Sequence, residues 1–67
     1  MKYYEIQVNL SRASDDAEWS ESMEIEENTL DSAHKVARLW SRELAQEHGA
    51  KVEDYYAIDL ETNEDSQ

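Results

Sequence analysis

Apolar residues occupy every second position from Tyr4 through Ile6, Val8 and Leu10, with Glu5, Gln7 and Asn9 between them. A period of two sends alternate side chains to opposite faces of an extended chain, so this run predicts a half-buried strand. Ser11 to Glu18 is polar, with Asp15 beside Asp16. It leads into a second alternating run in which Trp19, Met23 and Ile25 oppose Ser20, Ser22, Glu24 and Glu26. Two such runs in succession predict a hairpin with a longish loop.

The period then changes. Leu30, Ala33, Val36, Ala37, Trp40 and Leu44 recur at intervals of three and four, forming an apolar stripe about one third of the way round a helix. Asn28 and Thr29 both offer an oxygen to cap its free amides, and Asp31 suits the positive end. Gly49, the only glycine, predicts a stop near His48 in a left-handed C-terminal turn. Val52, Tyr56, Ile58 and Leu60 make a third alternating run, broken at Asp54, and the acidic tail 62–67 is expected to fray.

The order strand, strand, helix, strand predicts an α+β fold, ββαβ, as a single domain over residues 1–61. The expected sheet has three strands in the order 2-1-3, antiparallel or mixed, with the one helix packed on one face. A right-handed crossover joins strands two and three in parallel, and strand one fits between them, antiparallel to both. Alternation then puts Tyr3, Glu5, Gln7, Asn9, Ser20, Ser22, Glu24, Glu26, Tyr55, Ala57, Asp59 and Glu61 on the face away from the helix.

Charge sharpens this picture. Seventeen acidic residues oppose six basic ones, for a net charge of -11 over 67 residues. Residues 29–48 hold Asp31, Glu43 and Glu47 against Lys35, Arg38 and Arg42 and sum to zero, so the whole surplus lies outside the helix. The open sheet face is therefore expected to be an acidic plate. Carboxylates two apart on a strand stand ~7 Å from each other, with a neighbouring row roughly 5 Å away. A duplex carries a phosphate every ~3.4 Å of rise on each strand, so such a plate is a candidate stand-in for phosphates.

The same field repels nucleic acid and anionic membranes and favours basic partners. Candidate partner-binding residues are Glu5, Asp15, Asp16, Glu18, Glu21, Glu24, Glu26, Glu27, Tyr55, Asp59 and Glu61. Leu39, opposite the apolar stripe and flanked by Lys35, Arg38 and Arg42, is a candidate dimer or helix-face contact, so the chain is expected as a monomer or homodimer. No run is apolar enough to span a bilayer and the start has no signal-peptide core, which makes the cytosol the expected location.

Nothing in the chain predicts catalysis or a cofactor. There is no cysteine, and a single glycine leaves no glycine-rich phosphate loop. His34 and His48 lack the spacing of a helical metal pair. Neither Asp15-Asp16-Ala17-Glu18 nor Glu24-Ile25-Glu26-Glu27 has the alternating acids and central glycine of a calcium loop, so no metal site is expected. A domain this small buries only about 60% of its unfolded surface, leaving little room for an active-site cavity.

In size, charge and layout, from Lys2-Tyr3-Tyr4-Glu5-Ile6 to Tyr56-Ala57-Ile58-Asp59-Leu60, the chain resembles the small phage-encoded inhibitors of host defence, anti-CRISPR proteins in particular. The resemblance covers residues 2–61 and rests on architecture and composition, with no motif through which a functional residue carries over. It implies a protein in the host cytosol that binds a basic CRISPR surveillance complex and blocks its DNA-recognition groove. Two other classes fit the residues: an antitoxin-like regulatory subunit that uses its helix face, and a salt-adapted domain whose acids only solvate it.

Overall fold

A computed structural model describes residues 1–66. Strand β1 (Lys2–Arg12) and strand β2 (Ala17–Glu27) form an antiparallel hairpin whose register runs from Lys2 opposite Glu27 to Arg12 opposite Ala17. The connecting turn is only residues 13–16, shorter than the polar run suggests, because Ser11, Arg12, Ala17 and Glu18 join the ladder. Asp16 takes the left-handed conformation that closes it (φ 55°), a backbone state aspartate tolerates better than most residues.

Helix α1 (Leu30–His48) begins where Thr29, in extended conformation, accepts a 3.1 Å hydrogen bond from the Ser32 amide through its hydroxyl. Thr29, and not Asn28, is thus the cap. The helix ends at Gly49, whose φ of 59° is left-handed, and the amides of Gly49 and Ala50 both donate to the Ala45 carbonyl. Strand β3 (Lys51–Asp59) returns antiparallel to β1, and a short strand β4 (Asp65–Ser66) pairs antiparallel with β3.

Among the described residues the sheet therefore has four strands in the order β2-β1-β3-β4, extending the expected three by one. The tail does not simply fray. The Ser66 hydroxyl lies 3.2 Å from the Ala57 amide, which donates to it, and 2.8 Å from His34 Nδ1 on α1. These bonds tie residues 65–66 to both layers, while Gln67 of the expected frayed segment lies outside the described residues.

The core sits between α1 and the central strand. Tyr4, Ile6, Val8 and Leu10 are all essentially inaccessible, as are Ala33, Ala37 and Ala57, and Leu44 is nearly so. Burying one large apolar side chain is worth about 1.5–3 kcal/mol, so β1, which supplies four of them, dominates the stabilisation. Alanines at 33, 37 and 57 let the helix approach the sheet closely. No residue of β2 is buried; Trp19 and Ile25 are half-covered and Met23 is 39% exposed, because the helix lies over β1 and β3.

One irregularity decides which side chains face out. Between Asn9 and Leu10 the β1–β3 register shifts: Asn9 opposes Asp54 while Leu10 opposes Val52, leaving Glu53 as an inserted residue. A bulge of this kind adds one residue to one strand and inverts the alternation beyond it.

Candidate functional site

The open face is read directly from the register, since residues opposite each other on neighbouring strands share a face. One row runs Glu24, Glu5, Ile58, Asp65 across all four strands. Towards one end lies the row Glu26 and Tyr3, continued by Leu60, whose amide donates to the Tyr3 carbonyl at 3.2 Å. Towards the other end come Ser22, Gln7 and Tyr56, then Ser20, Asn9 and Asp54, then Glu18, Ser11 and Lys51. Asn9 Oδ1 accepts from Ser20 Oγ at 2.6 Å and from Gln7 Nε2 at 3.2 Å, and the Ser11 hydroxyl donates to Glu53, which fixes the polar end.

Of the expected partner-binding residues, the fold brings Glu5, Glu18, Glu24 and Glu26 together on this face. Glu61 lies in the turn after β3 and lines a shallow depression with Met1, Lys2, Tyr3, Glu24 and Leu60, about 370 Å³ in volume.

Three residues face the other way. The bulge turns Tyr55, Ala57 and Asp59 towards α1, opposite Val8, Ile6 and Tyr4, and correspondingly exposes Tyr56 and Ile58. Tyr55 is half-buried with its ring 5.1 Å from that of His34. Asp59 is only 5% exposed; its carboxylate accepts from the amides of Glu61 (2.8 Å) and Thr62 (3.3 Å) and meets Lys2 Nζ at 3.6 Å. Those two amide bonds, the Glu61 one foremost, hold its pKa below the ordinary aspartate value despite partial desolvation, with Lys2 adding to the effect. Asp59 is thus a structural cap of the β3–β4 turn.

Glu21 and Glu27 also belong to the helix side, opposite Val8 and Lys2. Glu21 accepts from Trp19 Nε1 at 3.1 Å and stands 3.6 Å from His48 Nε2, closing one end of the helix against β2. Asp15 is held in the hairpin turn by Arg12 through bonds of 3.0 and 2.9 Å, which lower its pKa. Arg12 in turn donates to the His48 carbonyl and lies over the Trp19 ring, so this end of the sheet is knitted internally. Asp16 is exposed in the same turn.

On the opposite side of the molecule Leu39 is 57% exposed, with Lys35, Arg38 and Arg42 exposed around it. Lys35 pairs with Asp31 one helical turn away at 3.4 Å. Among the described residues no group of three His, Cys, Asp or Glu is arranged to hold a metal, and no helix is long and apolar enough to cross a membrane.

Tyr56, Ile58 and Leu60, expected on the helix side from the third alternating run, are surface residues of the open face. The only signal was Asp54, which interrupts the third alternating run. No family model, curated protein or solved structure matches the chain.

Proposed function

We propose that the protein is a non-catalytic acidic binding protein whose open sheet face covers a basic, nucleic-acid-binding surface of another protein, presenting carboxylates where phosphates would lie. The observation that supports this most is the placement of Glu5 directly opposite Glu24, with Glu26 and Glu18 on the same face and Lys51, at its far end, the one cation there among the described strand residues. Like charges directly opposite each other on a sheet are destabilising. A marginally stable domain that keeps them on its exposed face has a use for them there. An inhibitor that blocks the DNA groove of a defence complex, in the manner of anti-CRISPR proteins, is the setting such a face fits.

The test starts from the immobilised protein and a bacterial lysate. Retained proteins are identified by mass spectrometry and challenged with double-stranded DNA. The expected partner is basic, is displaced by DNA, is released as salt rises from about 0.1 to about 0.5 M because screening shortens the reach of exposed charges, and is lost when Glu5, Glu24 and Glu26 are changed to Lys. Retention that survives both DNA and the triple change would end this reading. Loss on Leu39→Glu instead would move binding to the helix face, as for an antitoxin-like subunit. Acids that merely solvate the fold would show as a melting temperature that climbs steeply in molar salt with no partner retained.

A further inference from the structure

The open face carries more than charge. Ile58 and Tyr56 project from β3 as successive outward residues, Leu60 continues their line in the turn just after the strand, and Tyr3 extends the group sideways beside Leu60. Tyr3 is 56% and Leu60 43% exposed, Ile58 and Tyr56 are half-exposed, and Met1 adds a further apolar side chain at the same end. This stripe lies inside the sheet. Glu5, Glu24 and Glu26 border it on the β1–β2 side, and Asp65 borders it on the β4 side.

We propose that this stripe seats the apolar face of a basic amphipathic helix of the partner, with the bordering carboxylates pairing with that helix's lysines and arginines. The inference rests on the acidic-binder reading above and names the element recognised. Outward residues on β3 are spaced ~6.6–7 Å, and residues i, i+4 and i+8 of a helix advance about 6 Å per step. A helix lying along β3 thus sets two successive apolar side chains on Tyr56 and Ile58, and its next one reaches Leu60 in the turn that follows.

Other occupants fit less well. An extended segment adds to a sheet at its edge through main-chain bonds, whereas this surface is a face made of side chains. A second copy could offer only Leu39 as an apolar contact within the basic patch of its helix. Such a helix-on-sheet contact is also heterologous and would propagate head to tail, between molecules that each carry a charge of -11.

The probe is a synthetic lysine-rich peptide of about 18 residues, five helical turns, with leucine on one face, compared with a scrambled peptide of the same composition. Titration calorimetry at about 50 and about 300 mM salt separates the contributions, since exposed ion pairs weaken with screening. The expected result is one peptide per chain, with the scrambled peptide at least about tenfold weaker. Leu60→Ser and Ile58→Thr should each weaken the amphipathic peptide by about tenfold, as for truncated interface anchors. Leu60 follows β3 in an exposed turn, so Leu60→Ser keeps the test informative should Ile58→Thr unfold.

Equal binding of both peptides, or indifference to Leu60→Ser in a folded variant, overturns the helix-docking proposal. If binding then still disappears on Glu5→Lys with Glu24→Lys, the acidic-face reading stands alone; if it does not, both fall. Sedimentation showing a homodimer that Leu60→Ser dissociates would also overturn it, assigning the stripe to a second copy.

Discussion

Glu5 and Glu24 face each other across the β1–β2 ladder on the open side of the sheet. Their carboxylates repel, so Glu24→Lys should convert a repulsive pair to an attractive one and stabilise the isolated domain by about 0.5 kcal/mol, within the range for cross-strand pairs. The urea midpoint should rise in low salt and the gain should shrink in high salt. The same substitution should weaken partner binding. Stability and binding moving in opposite directions would mark the pair as retained for recognition, and a fall in both would remove that argument.

Asp59 caps the turn into β4 from the inner side of the sheet. Asp59→Ala should lower the melting temperature and detach β4, visible as faster amide exchange at Ala57 and Asn63, while Asp59→Asn, which keeps one acceptor oxygen, should do less harm. Because the folded pKa is depressed, ionised Asp59 contributes stability that is fully present above its unfolded pKa. That contribution is lost as pH falls through the lowered folded value. Acid titration of wild type against Asp59→Asn should therefore diverge near neutrality and converge in strong acid.

Ala37 has no accessible surface and sits where α1 crosses the sheet beside Ala33 and Ala57. Ala37→Leu should cost about 1–3 kcal/mol by overpacking. Chemical denaturation measures it directly, and a neutral result would mean that the helix shifts freely over β1.

Gly49 has a φ of 59°, yet a Cβ placed there meets nothing within 4 Å. Gly49→Ala should thus cost only the left-handed backbone penalty, about 1 kcal/mol, and Gly49→Asn less. A larger loss would require a contact the geometry does not contain.

Much of the architecture was legible because its signals are long. Seven residues of β1, Tyr4 to Leu10, and fifteen of α1, Leu30 to Leu44, carry unambiguous periods, and the crossover rule then placed β1 between β2 and β3. The face of β3 was not legible. Asp54 showed that the period broke, but a break does not say whether a residue is inserted or merely polar. Here Glu53 is inserted, so Tyr55 and Asp59, expected outside, lie inside. β4 escaped for a different reason: two residues contain no period, and one of the anchors, His34, lies 32 residues away in sequence. Glu21 follows the parity of Trp19 and Met23, and counting alternate positions would have placed it beneath the helix.

Strand β2 forms one border of the sheet, with its outer main-chain groups unpaired by any other strand among the described residues. An eleven-residue border of this kind is a template for runaway strand addition and aggregation. Glu18, Glu21, Glu24, Glu26 and Glu27 line it, so a second copy approaching border to border meets a fence of like charge. Substitutions that neutralise these glutamates to dissect binding will also lower the barrier to fibril growth. The solubility of each variant at working concentration thus becomes a measurement of the same residues in a second role.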